Sequence, residues 1–172
     1  LFQISPWLLI LVCPALTMRL FAEEQQSGTW ILLRAQPIPL WRIVVGKYMA
    51  SFFLTVIALL PCIVHYFILF YMAEPIGNID GGQFIGSMMG LVLLSASFLG
   101  ISMLCGTITH SQLVAFIMGA VSCFALFWVV LQDHYHSISR GVVDLHDVLF
   151  FLSIAITSIF ISIIILDKIT KK

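Results

Sequence analysis

Charge is what this sequence has least of. Only 9% of its 172 residues are Asp, Glu, Lys or Arg, whereas 61% are hydrophobic. The mean hydropathy is +1.11. A water-soluble domain of this length needs far more polar surface. Net charge is missing too, since eight basic residues balance eight acidic ones. That leaves no basic excess for a nucleic-acid partner. Motifs that carry catalysis are absent: there is no phosphate-binding G-x-x-x-x-G-K-[ST] loop, no H-E-x-x-H and no G-x-S-x-G. No pair of aspartates sits inside an apolar run, as intramembrane proteolysis would need. The four cysteines (Cys13, Cys62, Cys105 and Cys123) lack C-x-x-C spacing and all fall in apolar runs. They read as buried, inert thiols rather than a disulfide framework or a zinc site.

What is present is apolar length. Five runs stand out: Leu1–Met18, Tyr48–Ala73, Gln83–Ile108, Gln112–Leu131 and Val148–Leu166. The last four contain no Asp, Glu, Lys or Arg, and His65 is the only strongly polar titratable side chain in them. About 20 residues at about 1.5 Å each cross about 30 Å of hydrocarbon. There the backbone must satisfy its own hydrogen bonds, and long runs without alternation do so as helices. The expected fold is all-α, a polytopic membrane helical bundle forming a single domain over 1–172. Leu1–Met18 has no basic flank ahead of it, so it does not read as a signal peptide. It carries Gln3, Pro6 and Pro14 and reads as the back part of a longer helix, with an N-terminal piece expected to be missing.

The few charges are unevenly placed. Arg19, Arg34, Arg42 and Lys47 lie in the interruption after the first run, and Lys168, Lys171 and Lys172 follow the last. Of the remaining loops, Glu74–Gly82 and Thr109–Ser111 have no basic residue and Gln132–Asp147 has only Arg140, so alternating sides puts seven basic residues with 19–47 and the C-terminus and one with Glu74–Gly82 and Gln132–Asp147. Basic residues collect on the cytoplasmic side of membrane proteins. The 19–47 segment and the C-terminus are therefore expected in the cytoplasm.

That polar interruption reads MRLFAEEQQSGTWILLRAQPIPLWRIVVGK. Met18–Gln26 extends the first helix out of the bilayer, with Arg19 near the headgroups and Glu23, Glu24, Gln25 and Gln26 in water. Ser27-Gly28-Thr29 breaks it, because Gly stops a helix and Ser or Thr starts one. Thr29–Gln36 reads as a short apolar helix with Trp30, Ile31, Leu32 and Leu33, ended by Pro37 and Pro39. Leu40–Lys47 re-enters, with Trp41 and Arg42 suited to the interface. On residue physics alone two readings stay open: an amphipathic hairpin that lies on the membrane and anchors the bundle, or a short helix presented to a soluble partner and rimmed by carboxylates.

Small residues recur at four-residue spacing: Gly86 and Gly90, Ala96 and Gly100, Ser102 and Gly106, Ala115 and Gly119. Such faces let membrane helices pack closely, within the subunit in the preferred reading and across a dimer seam in the other. Pro14 and Pro61 are expected to kink their helices. His65 reads as a packing histidine rather than the lining of a polar path. Asp133, His134, His136, Asp144, His146 and Asp147 have nonspecific spacing and read as solvated loop residues rather than a metal site.

The segment from Met18 to Lys47 resembles the permease subunits of ABC-2 type transporters, above all the gliding-motility-associated permeases. The resemblance rests on Met18, Arg19, Glu23, Glu24, Ser27, Gly28, Thr29, Leu32, Leu33, Pro37, Gly46 and Lys47. It continues through Gly90–Gly119 and Ser139–Ser153. Two departures matter. The family usually has a basic residue after the paired Glu, where this chain has Gln25 and Gln26, and it often has Glu two residues after the Thr, where Ile31 stands. The resemblance implies six membrane helices per subunit, five of them visible here, and a dimer, homo- or heteromeric, with a second permease subunit in a bacterial inner membrane. It also implies a coupling segment, 19–47, that docks on an ABC ATP-binding subunit. Arg19, Glu23, Glu24, Ser27, Gly28, Thr29, Trp30, Ile31 and Leu33 would make that contact. ATP and Mg would belong to the partner, with no cofactor and no catalysis in this chain, and the cargo would be exported. A non-transporting scaffold or mechanochemical subunit and a haem-exporter-type permease are the alternatives. A secondary, ion-driven transporter is disfavoured by the lack of intramembrane carboxylates.

Overall fold

A computed structural model of the chain describes residues 4–28, 39–72, 81–109, 111–131 and 145–170. They form six helices: α1 (Ser5–Ser27), α2 (Leu40–Leu59), α3 (Pro61–Met72), α4 (Gly81–Ile108), α5 (Gln112–Leu126) and α6 (Leu145–Thr170). No strand occurs among the described residues. α5 widens at its end into a π turn over Phe127–Leu131. Because α2 and α3 run on into one another, five spans are long and apolar enough to cross a membrane.

Local sequence accounts for the ends. Pro6 falls in the first turn of α1, where its missing N–H leaves no bond unmade. Gly28 closes the helix at φ 74°, a left-handed conformation that glycine adopts without penalty. α2 starts after the extended Pro39, whose carbonyl accepts from Arg42 N–H at 3.0 Å. Pro61 interrupts the second span, and the chain turns there through tighter bonds from Leu60 N–H to Ile57 O and from Ile63 N–H to Leu60 O. Pro14 instead lies inside an unbroken α1, where the Thr17 hydroxyl donates to Cys13 O at 3.0 Å. The second span runs over 33 residues, Leu40–Met72. At about 1.5 Å per residue that is about 50 Å, longer than the hydrocarbon is thick, so the span is tilted or overhangs it.

The bundle is organised around α4, most of which is buried, and α1, α2, α5 and α6 all pack on it. Its core side chains are Leu91, Leu94, Phe98, Leu99, Ile101 and Met103, while Gly86, Ser87, Gly90, Ser95, Ala96, Ser97, Gly100, Ser102 and Gly106 are buried beside them. Small side chains give four neighbours room to approach one helix. A Cβ on Gly100 would meet Ser158 Cβ at 3.2 Å and the Ala155 Cα and O at 3.3 Å. One on Gly119 would meet Pro14 Cβ at 3.1 Å. The polar atoms of these seams are satisfied across them. The Tyr48 hydroxyl donates to Ala96 O at 2.9 Å, the Ser97 hydroxyl donates to Phe151 O at 2.9 Å, and Ser102 Oγ lies 3.3 Å from Cys123 Sγ.

The same contacts give the direction of each helix. Ser97 lies beside Phe151 and Gly100 beside Ser158, so α4 and α6 are parallel. Pro14 faces Gly119 and Trp7 faces Phe124, so α5 is antiparallel to α1. Tyr48 meets Ala96 and Tyr66 stacks on Phe84 at 4.1 Å, so the α2–α3 span is antiparallel to α4. The basic side chains among the described residues (Arg19, Arg42, Lys47 and Lys168) therefore lie toward one end of the bundle.

Several expectations change. All four cysteines are free, but Cys62 is only half-buried, because α3 has no buried residue at all. His65 is on that helix and is exposed rather than packed. Asp147 is not a solvated loop residue: it is buried in the first turn of α6, with His146 Nδ1 3.9 Å from its Oδ1.

Candidate functional site

The 19–47 segment is mostly helix. Its first part completes α1, which ends at Ser27, and its last part opens α2 at Leu40. Thr29, Trp30, Ile31, Leu32, Leu33 and the rest of the expected docking helix lie outside the described residues. The Glu23, Gln25 and Gln26 side chains also lie outside what the structure describes.

Lys47 joins the two ends. It stands two turns into α2, and its ammonium reaches across to a single turn of α1. There it donates to the Leu20 carbonyl and the Glu24 carboxylate and lies over the Phe21 ring, 4.4 Å from the centroid. The Lys47 side chain is 17% exposed and that of Glu24 28%. An ammonium this enclosed must replace its water shell, and a carboxylate, a carbonyl and an aromatic face do so. Glu24 is therefore not a free carboxylate in water. It is held inward by an internal partner, which corrects the expectation that Glu24 stands fully in water. Its partner is 23 positions away. The legible hint was two opposite charges flanking one chain reversal, since a helix ending at Gly28 and one starting after Pro39 bring Glu24 and Lys47 to neighbouring heights.

The next residue faces another helix. Tyr48 is buried, stacks on Phe52 at 6.4 Å and bonds to Ala96 in the middle of α4. Successive residues on a helix point about 100° apart, so α2 grips α1 with Lys47 and α4 with Tyr48. Arg19 and Arg42 are exposed nearby in the fold, Arg42 lying over its neighbour Trp41 at 5.3 Å. Ser27 and Gly28 are exposed at the end of α1.

Among the described residues no cluster of three or more His, Cys, Asp or Glu could hold a metal ion. Asp133, His134, His136 and Asp144 lie outside the described residues.

The whole chain, residues 2–171, matches the model of a family described as ABC-2 family transporter protein. No curated protein and no solved structure matches it.

Proposed function

This chain belongs to the ABC-2 family of transporter proteins, and from that premise we propose that it is the membrane-spanning permease subunit of an ATP-driven exporter. With five apolar spans and this family, it is a multi-pass membrane protein and a transport component. A separate ATP-binding subunit holds the ATP and Mg in this proposal and docks on the segment between α1 and α2. A second permease subunit completes the pathway, and a bacterial inner membrane is the location.

The observation that carries the reading is the seating of that segment. In sequence, a stretch rich in Trp, Ile and Leu joins two helix ends that Lys47 ties together. A loop that only connected two spans would need no such base. The four basic side chains at the same end support a cytoplasmic position for it. Closure of the ATP-binding subunits then pushes on the segment, and the bundle alternates between inward- and outward-facing states.

The test is purification from the native membrane in mild detergent. An ATP-binding protein should travel with the chain, and the preparation should hydrolyse Mg-ATP. Replacing residues 29–38 by a Gly/Ser stretch of equal length should release that protein while the bundle stays folded. A chain that purifies with no ATPase, or keeps its partner after the replacement, contradicts the reading and favours a scaffold.

A further inference from the structure

We propose that Lys47 is the positioning residue that makes the end of α1 and the start of α2 one lever beneath the docking segment, and that Tyr48 passes its motion to α4. The inference rests on the functional reading above and names the link inside the bundle. α1 packs mainly on α4 and α5 and touches α2 sparsely. The Lys47 contacts are thus the principal polar tie between them among the described residues. All three are to one turn of α1, Leu20–Glu24, just before the helix ends at Gly28. Without them a push on residues 29–38 would tilt the last turn of α1 and the first turns of α2 independently, joined only by the segment itself. With them the two ends turn together.

The next step follows from sequence adjacency. Lys47 and Tyr48 share a backbone but hold different helices, so rotation at Lys47 pulls directly on the Tyr48–Ala96 bond. Ala96 is next to Ser97, which bonds to Phe151 of α6. Three consecutive cross-helix bonds thus run from the end of α1 and the start of α2 into α4 and α6, the most extensively packed pair of the bundle. A chain of discrete contacts of this kind can carry a small displacement between sites because packed helices move as units.

The experiment uses the intact complex in lipid nanodiscs and reads hydrogen exchange, with and without ATP and vanadate. In wild type, trapping should change exchange in α1, α2 and α4. Lys47→Met should bind the ATP-binding subunit and trap nucleotide, yet lose the change in α4. Glu24→Gln, a milder variant that keeps the side-chain shape, should lose most of it. Lys47→Arg, which keeps a cationic donor for the Leu20 carbonyl, the Glu24 carboxylate and the Phe21 ring, should retain most of it, which a merely space-filling Lys47 would not predict. Should Lys47→Met fail to assemble, Glu24→Gln decides alone. An α4 response that survives in Lys47→Met or Glu24→Gln overturns the inference and leaves the functional reading standing. A wild-type complex that does not respond to trapping overturns both.

Discussion

Gly100 offers the sharpest test of the packing, because the structure supplies its own control in Gly46. Both are glycines inside helices. Replacing glycine by alanine in a helix interior contributes about 1 kcal/mol through backbone entropy. At Gly46 the added methyl meets nothing within 4 Å, so Gly46→Ala should show that gain undiminished. At Gly100 the methyl lands 3.2 Å from Ser158 Cβ and 3.3 Å from the Ala155 Cα and O. Carbon atoms rest about 3.5–4.0 Å apart, and backbone cannot rotate aside as a side-chain tip can. α4 and α6 must therefore separate by several tenths of an ångström, and overpacking of this kind costs about 1–3 kcal/mol. Set against the helix gain, Gly100→Ala should fall about 1–3 kcal/mol below Gly46→Ala. At about 2–4 °C per kcal/mol for a chain of this size, that separates their midpoints by about 2–12 °C. The assay is the monodisperse fraction left after heating in detergent, measured by size-exclusion chromatography. Gly100→Leu, which drives a full side chain into the Ala155 backbone, should leave little folded protein. A Gly100→Ala variant as stable as Gly46→Ala would refute the close approach of α4 and α6.

The other expectations rest on similar contacts. Gly119→Ala pushes a methyl to 3.1 Å from the rigid Pro14 ring and should lower the midpoint, whereas Gly106→Ala, with only Thr17 O at 3.6 Å, should be tolerated in the same assay. Gly28→Ala places a side chain at φ 74°. It should cost about 1 kcal/mol locally and raise hydrogen exchange in the last turn of α1. Tyr48→Phe keeps the ring but deletes the donor to Ala96. It should cost about 0.5–1.5 kcal/mol and lower the thermal midpoint by a few degrees.

The spans were legible because hydrocarbon leaves the backbone no alternative to the helix. The expected runs and the observed helices differ mainly at their ends. α2 begins at Leu40 rather than Tyr48, and α6 covers Leu145–Thr170 rather than Val148–Leu166. Polar residues at a helix end, such as Lys47 or Asp147, cut a hydropathy run short without ending the helix. Gly28 and Pro61 were readable as a stop and a break, since each acts through its own backbone. Which helix sits at the centre was harder to read. In a membrane protein the outside is as apolar as the core, so hydropathy does not separate buried α4 from exposed α3, and only the small residues of α4 hinted at the difference. The Glu24–Lys47 tie was hinted at only by two opposite charges flanking one chain reversal, and the exposure of His65 depends on how helices distant in sequence are arranged, which no local pattern encodes.

The central claim is that the segment between α1 and α2 receives an ATP-binding subunit. Its most direct test is a photoreactive amino acid at Trp30, with a control at Trp128, which is exposed on the π turn that follows α5. After irradiation of native membranes, the Trp30 probe should form a covalent adduct whose partner peptides come from an ATP-binding protein, and the Trp128 probe should form none with it. No such adduct at Trp30, or an equal yield at both positions, would contradict the account.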